Sequence, residues 1–269
     1  MEILTLQLNE IKKPDLSKYV KVLESTDFWP SSLYLKRLFK PYKDEEEVVM
    51  IYCKLSCQVS QYTHYMNNMH VIVESNNLSI TNQTTGLSTW SGSSFMLDFI
   101  QTLDIKEYTI IELGCGTGLL GIGCLNLASK VIFTDYNAEV LKNCASNIVL
   151  NKNSVKNENY QIGILDFTLL NCLEDCFFKL DSSPNMVVMA DICYDQSVIS
   201  DLVNTINIFT SHEIPVYMGF TLRNQETFEL FVQASKAVII SRFTPKQQVD
   251  LNEICREFVV LTFRSEYSN

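Results

Sequence analysis

The stretch IIELGCGTGLLG, residues 110–121, decides the fold. A short apolar run leads into three glycines at alternate positions, and a second apolar run follows them directly. Glycine tolerates backbone angles that other residues avoid, and it lets a ligand come close to the main chain. We therefore predict a strand, a ligand-binding turn and the start of a helix, with the ligand at the carboxyl end of the strand.

Strand-like and helix-like segments alternate after this turn. The strand-like segments are continuous apolar runs, which are typical of a parallel sheet that helices cover on both faces. Repeated strand–helix units imply right-handed crossovers, so the fold class predicted is a doubly wound α/β sheet. The last two strand-like segments have no long helix between them, which predicts an antiparallel hairpin at the sheet edge. The predicted strands are 108–113, 130–135, 160–167, 185–191, 215–221, 237–243 and 256–263.

The chain before the glycine turn has a different pattern. Apolar residues at three- and four-residue intervals predict helices through the first sixty or so residues. We expect residues 1–68 to be a helical N-terminal extension and residues 69–269 to be the main domain. Residues 70–80 predict a β-hairpin with its turn at Asn76 and Asn77, and a polar loop then leads into an amphipathic helix.

Composition limits the function. The chain has 269 residues, 46% of them hydrophobic, and a formal net charge of −10, which argues against binding driven by nucleic-acid phosphates. It has no apolar run of about 18 residues that could cross a membrane, and no signal-peptide pattern opens it. Nine cysteines without a secretion signal predict free thiols in a reducing compartment, hence a cytoplasmic protein.

Metal-binding patterns are missing from the sequence. The pairs Cys53/Cys57 and Cys172/Cys176 have no histidine at a zinc-like spacing. The three histidines are scattered, so we expect neither a catalytic triad nor a metal site.

Two acids suggest what the glycine turn binds. Asp135 ends the next predicted strand, about twenty residues after the turn, where a carboxylate can accept both ribose hydroxyls of a nucleoside; a helix N-cap is the alternative. Glu112 lies within the end of the strand before the turn, where it can orient the loop amides or reach a ligand's ammonium group. Both a dinucleotide and S-adenosylmethionine remain candidates. The two-residue glycine spacing and the edge hairpin favour S-adenosylmethionine, because a dinucleotide fold needs Gly-x-Gly-x-x-Gly.

Further motifs give a family resemblance. TTGLSTW (84–90), FTDYN (133–137), LDF (165–167), ADICYD (190–195) and GFTLRNQETFELF (219–231) follow one another in the order seen in seven-strand S-adenosylmethionine-dependent methyltransferases. The chain resembles the protein-lysine methyltransferases that carry an Asp-x-x-Tyr motif, and among them the elongation factor 2 lysine methyltransferases.

The resemblance implies a set of cofactor-binding residues. They are Trp90, Gly114, Cys115, Gly116, Asp135, Phe167 and Ala190. Phe167 stands where related enzymes usually have tryptophan, and its ring covers an adenine with less area. For Trp90 the alternative is a core anchor for the following helix. Asp166 either accepts from the adenine amino group or caps the segment after its strand.

The predicted substrate residues follow the fourth and fifth strands. Asp191 is expected to accept a hydrogen bond from the incoming amine, and Tyr194 to form a wall of the lysine channel; a helix cap and a packed ring are the alternatives. Phe220 is expected to face that channel and Arg223 to contact the protein substrate. The predicted function is methylation of a lysine of elongation factor 2 by a monomer. Calmodulin or a chaperone is the alternative substrate, and a catalytically silent binding module the alternative class.

Overall fold

The computed structural model describes residues 61–75, 85–175, 183–243 and 257–263, and strands alternate with helices through them. Apart from Gln61, all of them belong to one compact unit of the chain. The strands are β1 (Gln61–Met66), β2 (His70–Ser75), β3 (Thr109–Leu113), β4 (Lys130–Asp135), β5 (Tyr160–Ile164), β6 (Met186–Ala190), β7 (Val216–Thr221), β8 (Val238–Phe243) and β9 (Phe258–Thr262). The helices are α1 (Ser91–Ile100), α2 (Leu119–Cys124), α3 (Ala138–Leu150), α4 (Ile199–Ser211) and α5 (Gln225–Ser235).

Seven strands form one sheet in the order β5-β4-β3-β6-β7-β9-β8. The strands β5, β4, β3, β6 and β7 are parallel to one another. Strand β9 is antiparallel to both β7 and β8. The predicted fold class is confirmed: a doubly wound, mostly parallel seven-stranded sheet with an antiparallel edge hairpin. The last strand, β9, lies inside that hairpin region, between β7 and β8.

Helices cover both faces of the sheet, and alternate strand residues point to opposite faces. Ile110 of β3 packs with α1, α2 and α3 on one face, while Ile111 and Leu113 pack with α4 and α5 on the other. Because both faces are buried, the central strands are apolar at nearly every position.

Strand β2 is held by two asparagines of α3. The side chain of Asn147 accepts from the backbone amide of Glu74 and donates to its carbonyl, and Asn151 makes the same pair of bonds with Ile72. Four helical residues rise by about 6 Å, close to the roughly 6.8 Å between alternate residues of a strand. The two carboxamides therefore bond to β2 as a neighbouring strand would.

The β1–β2 region differs from its prediction. Residues 61–66, placed in the helical extension, form strand β1, and β2 pairs with it in a separate two-stranded sheet. The predicted partner of β2, residues 78–80, lies outside the described residues, as do the predicted helices of residues 1–60. His64 and His70, expected to be scattered, meet here with ring nitrogens 3.3 Å apart.

Two further predictions fall partly or wholly outside the structure. Cys53, Cys57 and Cys176 are not among the described residues, whereas Cys172 is exposed and free. In the part of the chain that the structure describes, no helix has the length and apolar character needed to cross a membrane.

Candidate functional site

A cleft of about 260 Å³ opens at the carboxyl ends of β3, β4 and β6. The strand order reverses between β3 and β6, because β3 is followed by β4 on one side and β6 lies on the other. In open α/β sheets ligands bind at this switch point. Five segments line the cleft, within residues 85–93, 114–117, 135–136, 166–168 and 190–198.

The glycine turn after β3 forms the floor of the cleft. Gly114 has φ +64°, and a Cβ there would lie 2.7 Å from Cγ2 of Ile192. The amide of Cys115 donates to the carbonyl of Thr134 in β4 at 2.8 Å, which ties the turn to the neighbouring strand. The turn is therefore fixed in a conformation that leaves bare main chain beside the cleft.

Asp135 ends β4 at the rim of the turn. Its side chain accepts from the amide of Gly116 at 3.3 Å and from that of Asn137 at 3.0 Å. Burial raises the pKa of Asp135 above its ordinary value, against the lowering effect of these bonds. Asn137, not Asp135, is the N-cap of α3. A carboxylate accepts about four hydrogen bonds, so Asp135 has capacity left for two hydroxyls of a ligand.

Aromatic rings stand around the cleft. The indole N–H of Trp90 donates to the carbonyl of Thr85 at 3.1 Å, and the guanidinium of Arg223 lies 4.7 Å from the centre of the indole ring. Phe167 also lines the cleft, and so do Tyr136 and Tyr194, whose side chains are largely exposed. Such surfaces suit a flat heterocycle and an aliphatic chain.

Asp166 caps the 3-10 turn at residues 167–169. Its carboxylate accepts from both the amide and the hydroxyl of Thr168, and the residue also lines the cleft. Asp166 therefore acts as the cap that was one of its two predicted roles. Because the residue also lines the cleft, its contact with the adenine stays a prediction.

The carboxylate of Asp191 is turned into the protein. Its side chain is 2% exposed and accepts from the amide and hydroxyl of Thr221, the amide of Gly92 and the guanidinium of Arg223. The Asp191 oxygens thus already accept four hydrogen bonds from the protein, and the contact with the substrate amine stays a prediction. Tyr194, of the same motif, does line the cleft.

Glu112, unlike Asp191, is not among the residues that line the cleft. Its carboxyl lies beneath α2, where it receives the amide of Gly121 and Oε2 has no hydrogen-bond partner. Burial raises the pKa of Glu112 to about 8, and nearby Asp135 adds to the shift. The predicted contact of Glu112 with the ligand stays a prediction, and in the structure its carboxyl contacts the first turn of α2.

Phe220 and Arg223 are not among the residues that line the cleft. Phe220 is 5% exposed and packs against Phe228, with ring centres 5.0 Å apart, inside the core beneath α5. Its predicted position facing a substrate channel stays a prediction. Arg223 is partly exposed and bonds within the protein, and its contact with a substrate remains a prediction.

Some supporting residues were missed from the sequence. The side chain of Asn147 donates to the carbonyl of Thr117, so α3 holds the glycine turn from below, and the hydroxyls of Thr117 and Thr89 lie 3.1 Å apart. Asn143, Asn147 and Asn151 recur at four-residue spacing in a helix. That repeat of polar residues on one helix face was the available sign.

The structure brings most predicted residues to one cleft. Those that line it are Trp90, Gly114, Cys115, Gly116, Asp135, Asp166, Phe167, Ala190, Asp191 and Tyr194.

Similarity to known proteins agrees with this cleft. Residues 72–237, more than half of the chain, match the model of a family described as lysine methyltransferase. The chain is 27% identical to the protein-lysine N-methyltransferase EFM3 of Chaetomium thermophilum, over 72% of this chain and 60% of that protein. It is 26% identical to the protein-lysine N-methyltransferase EEF2KMT of Mus musculus, over 81% of this chain and 66% of the relative. The match thus spans less than two thirds of either relative's length.

A solved structure shares the fold. The tRNA (uracil-54, C5)-methyltransferase of Pyrococcus abyssi, crystallised with S-adenosyl-L-homocysteine, is 12% identical. It superposes with a TM-score of 0.50, over 76% of this chain and 44% of that one.

Proposed function

The chain belongs to the lysine methyltransferase family, and we propose that it transfers a methyl group from S-adenosylmethionine to a lysine side chain of elongation factor 2. The observation that carries the proposal is the buried carboxylate of Asp135, which lines a cleft beside the bare main chain of residues 114–116. Such an arrangement suits a nucleoside, and membership of the family makes the methyl donor the expected one.

The residues of the cleft fit this cofactor. Asp135 retains acceptor capacity for the two ribose hydroxyls after its bonds to Gly116 and Asn137. Phe167 offers an apolar ring for the purine. The cleft volume, about 260 Å³, is near the lower end of the roughly 300–1,000 Å³ usual for small-molecule sites.

The protein's own task is to align the reactants. S-adenosylmethionine supplies a methyl group bound to a positively charged sulfur, and this sulfur is a good leaving group. The chain must therefore hold an amine in line and exclude water, and it needs no strong acid or base. A free lysine has a pKa near 10.4, so the amine must enter neutral. We assign Tyr194 to the channel wall, where an aromatic surrounding of low polarity lowers the pKa of the entering lysine.

The substrate assignment depends on family likeness. The mouse relative is named EEF2KMT, after elongation factor 2. The motifs TTGLSTW and GFTLRNQETFELF support the same branch of the family. Calmodulin or a chaperone is the alternative substrate. We also propose that the protein is a monomer. We propose a cytoplasmic location because elongation factor 2 would be encountered in the cytoplasm.

Labelled cofactor tests the proposal directly. The protein is incubated with radiolabelled S-adenosylmethionine and a eukaryotic lysate, and then with purified elongation factor 2. We expect label on a lysine of elongation factor 2. Label on calmodulin or a chaperone alone would replace the substrate, and no label on any protein would favour a silent binding module.

A matched pair of variants ties the activity to the cleft. Asp135→Asn should weaken binding of S-adenosylmethionine in calorimetry, because the amide presents a donor to Gly116 and loses an acceptor for the ribose. Asp201→Asn, on the exposed face of α4, should bind as wild type does. Equal binding by both variants would remove Asp135 from the site, and binding of NAD by the wild type would point to an oxidoreductase.

A further inference from the structure

Asp191 joins three segments that are far apart in the sequence. Its Oδ1 accepts from the amide of Thr221 at 2.7 Å. Its Oδ2 accepts from the hydroxyl of Thr221 at 2.7 Å, and from the amide of Gly92 and the guanidinium of Arg223, each at 3.1 Å. These bonds connect the end of β6 with the end of β7 and the first turn of α1.

The local backbone is arranged for this contact. Asp191 has φ +54°, in the left-handed region, and its amide donates to the carbonyl of Gly219 at 2.9 Å. A Cβ at Gly92 would lie 2.5 Å from the carboxyl group of Asp191. Only glycine permits so close an approach at that position. The carboxylate is thus directed into the junction and away from the opening of the cleft.

The junction reaches the cleft through Trp90. The guanidinium that Asp191 holds lies over the Trp90 ring, 4.7 Å from its centre. The indole N–H is fixed separately, by the carbonyl of Thr85 at 3.1 Å. Trp90 also lies two residues before Gly92, whose amide Asp191 binds. One carboxylate therefore restrains Trp90 both through its backbone and through its ring.

We propose that Asp191 is a positioning residue, which sets the Trp90 wall of the cofactor cleft through Arg223 and Gly92 and does not bind the substrate amine. Planar guanidinium stacking on tryptophan is favourable and depends on orientation. An aspartate that holds the guanidinium in place therefore fixes the plane of the ring. The inference rests on the proposed function only in taking the cleft as the cofactor site.

The two tryptophans of the chain allow a spectroscopic test. In a Trp29→Phe background Trp90 is the only tryptophan, since the sequence contains two. We would compare Asp191→Asn and Arg223→Met by Trp90 emission without ligand, by calorimetry with S-adenosylhomocysteine, and by methyl transfer at saturating cofactor. Arg242→Met is the matched control, because Arg242 on β8 forms an ion pair with Glu257 at 2.8 Å.

The proposal makes a definite pattern of results. Asp191→Asn and Arg223→Met should both shift Trp90 emission and weaken S-adenosylhomocysteine binding by about tenfold, the size of one good cation–π contact. Arg242→Met should change neither emission nor affinity.

Other results would overturn the proposal. Unchanged emission and affinity in Asp191→Asn, with turnover reduced about a hundredfold or more, would make Asp191 the amine acceptor. If Asp191→Asn fails to fold, unchanged emission and affinity in Arg223→Met would refute the proposal alone. A wild-type protein that does not bind S-adenosylhomocysteine would refute the proposed function instead, while the ligand-free emission would still decide the role of Asp191.

Discussion

Glu112 and Asp191 lie at the carboxyl ends of neighbouring strands, and each side chain is about 2% exposed. They differ in their partners. Asp191 accepts four hydrogen bonds, one of them from a guanidinium, whereas Oε2 of Glu112 has no partner at all.

The difference shows that two equally buried carboxyl groups can differ completely in how many hydrogen bonds they accept. Desolvation opposes ionisation, while hydrogen bonds and a nearby cation favour it. For Glu112 desolvation dominates and raises the pKa to about 8, so the neutral form is the main one at pH 7. We expect Asp191 to organise a junction through its four hydrogen bonds, and Glu112 to function as a neutral polar group beneath α2.

Removing the better-connected acid should have the largest effect. Asp191→Ala removes one acceptor from each of Arg223, the Gly92 amide and Thr221, and each buried donor left unsatisfied costs about 1–3 kcal/mol. Urea unfolding measures this loss. Asp195→Ala, an exposed position that caps the turn at residues 196–198, is the control and should lose only the contribution of that cap, about 1 kcal/mol. Equal losses in the two variants would mean that the buried Asp191 stabilises the fold no more than an exposed cap does.

The glycine turn between the two acids should come next. Gly114→Ala must adopt φ +64° and brings a Cβ to 2.7 Å from Ile192, so we expect a loss of about 1–3 kcal/mol. The double variant with Ile192→Ala should remove the steric part and keep the backbone strain. If the loss of stability in the double variant equals the sum of the losses in the two single variants, the contact with Ile192 costs nothing.

The pH dependence of stability should reveal Glu112. The folded protein holds a proton there up to about pH 8, whereas an unfolded glutamate releases it near pH 4.3. The stabilising contribution is therefore complete below about pH 4.3 and declines toward pH 8, by at most about 1.4 kcal/mol per pH unit. The stability of Glu112→Gln relative to wild type should rise with pH across this range and level off above it.

Urea unfolding at about pH 5.5, 7 and 8.5 would follow that change. Glu158→Gln, at an exposed position, is the control and should show a constant difference from wild type. A constant difference for Glu112→Gln would mean that Glu112 is ionised in the folded protein.

The smallest effect on stability should come from Tyr194, three residues after Asp191. Its side chain is 59% exposed, so Tyr194→Leu should change the free energy of unfolding by less than about 0.5 kcal/mol. Methyl transfer should nevertheless fall, because the residue lines the cleft. A variant that keeps full turnover would remove Tyr194 from the proposed channel.

The sequence predicted what depends on local pattern. The strand bounds at residues 130–135 and the ligand turn followed from a continuous apolar run and from glycine spacing, and Asp135 followed from its place at a strand end. Strand parity also assigns two of the predicted site residues to a face of the sheet. Glu112 alternates with Ile111 and Leu113 and so points to the opposite face, and Phe220 shares the face of Met218.

Long-range partners were beyond the sequence. Gly92 and Thr221 donate hydrogen bonds to the carboxylate of Asp191, and only the packing of α1 and β7 brings these two residues together. The strand β1 at residues 61–66 was missed because its polar and aromatic residues also fit a helix pattern. Its pairing with β2 is fixed by tertiary structure, which can override local preference.

The paired asparagines of α3 have a consequence for local motion. Asn147 bonds to the backbone of Glu74 and also to the carbonyl of Thr117 in the glycine turn. The backbone amides of Ile72 and Glu74 should therefore exchange their hydrogens slowly with solvent, although they belong to a sheet of only two strands. Their protection should increase further when the glycine turn is held still, because one carboxamide is anchored to both.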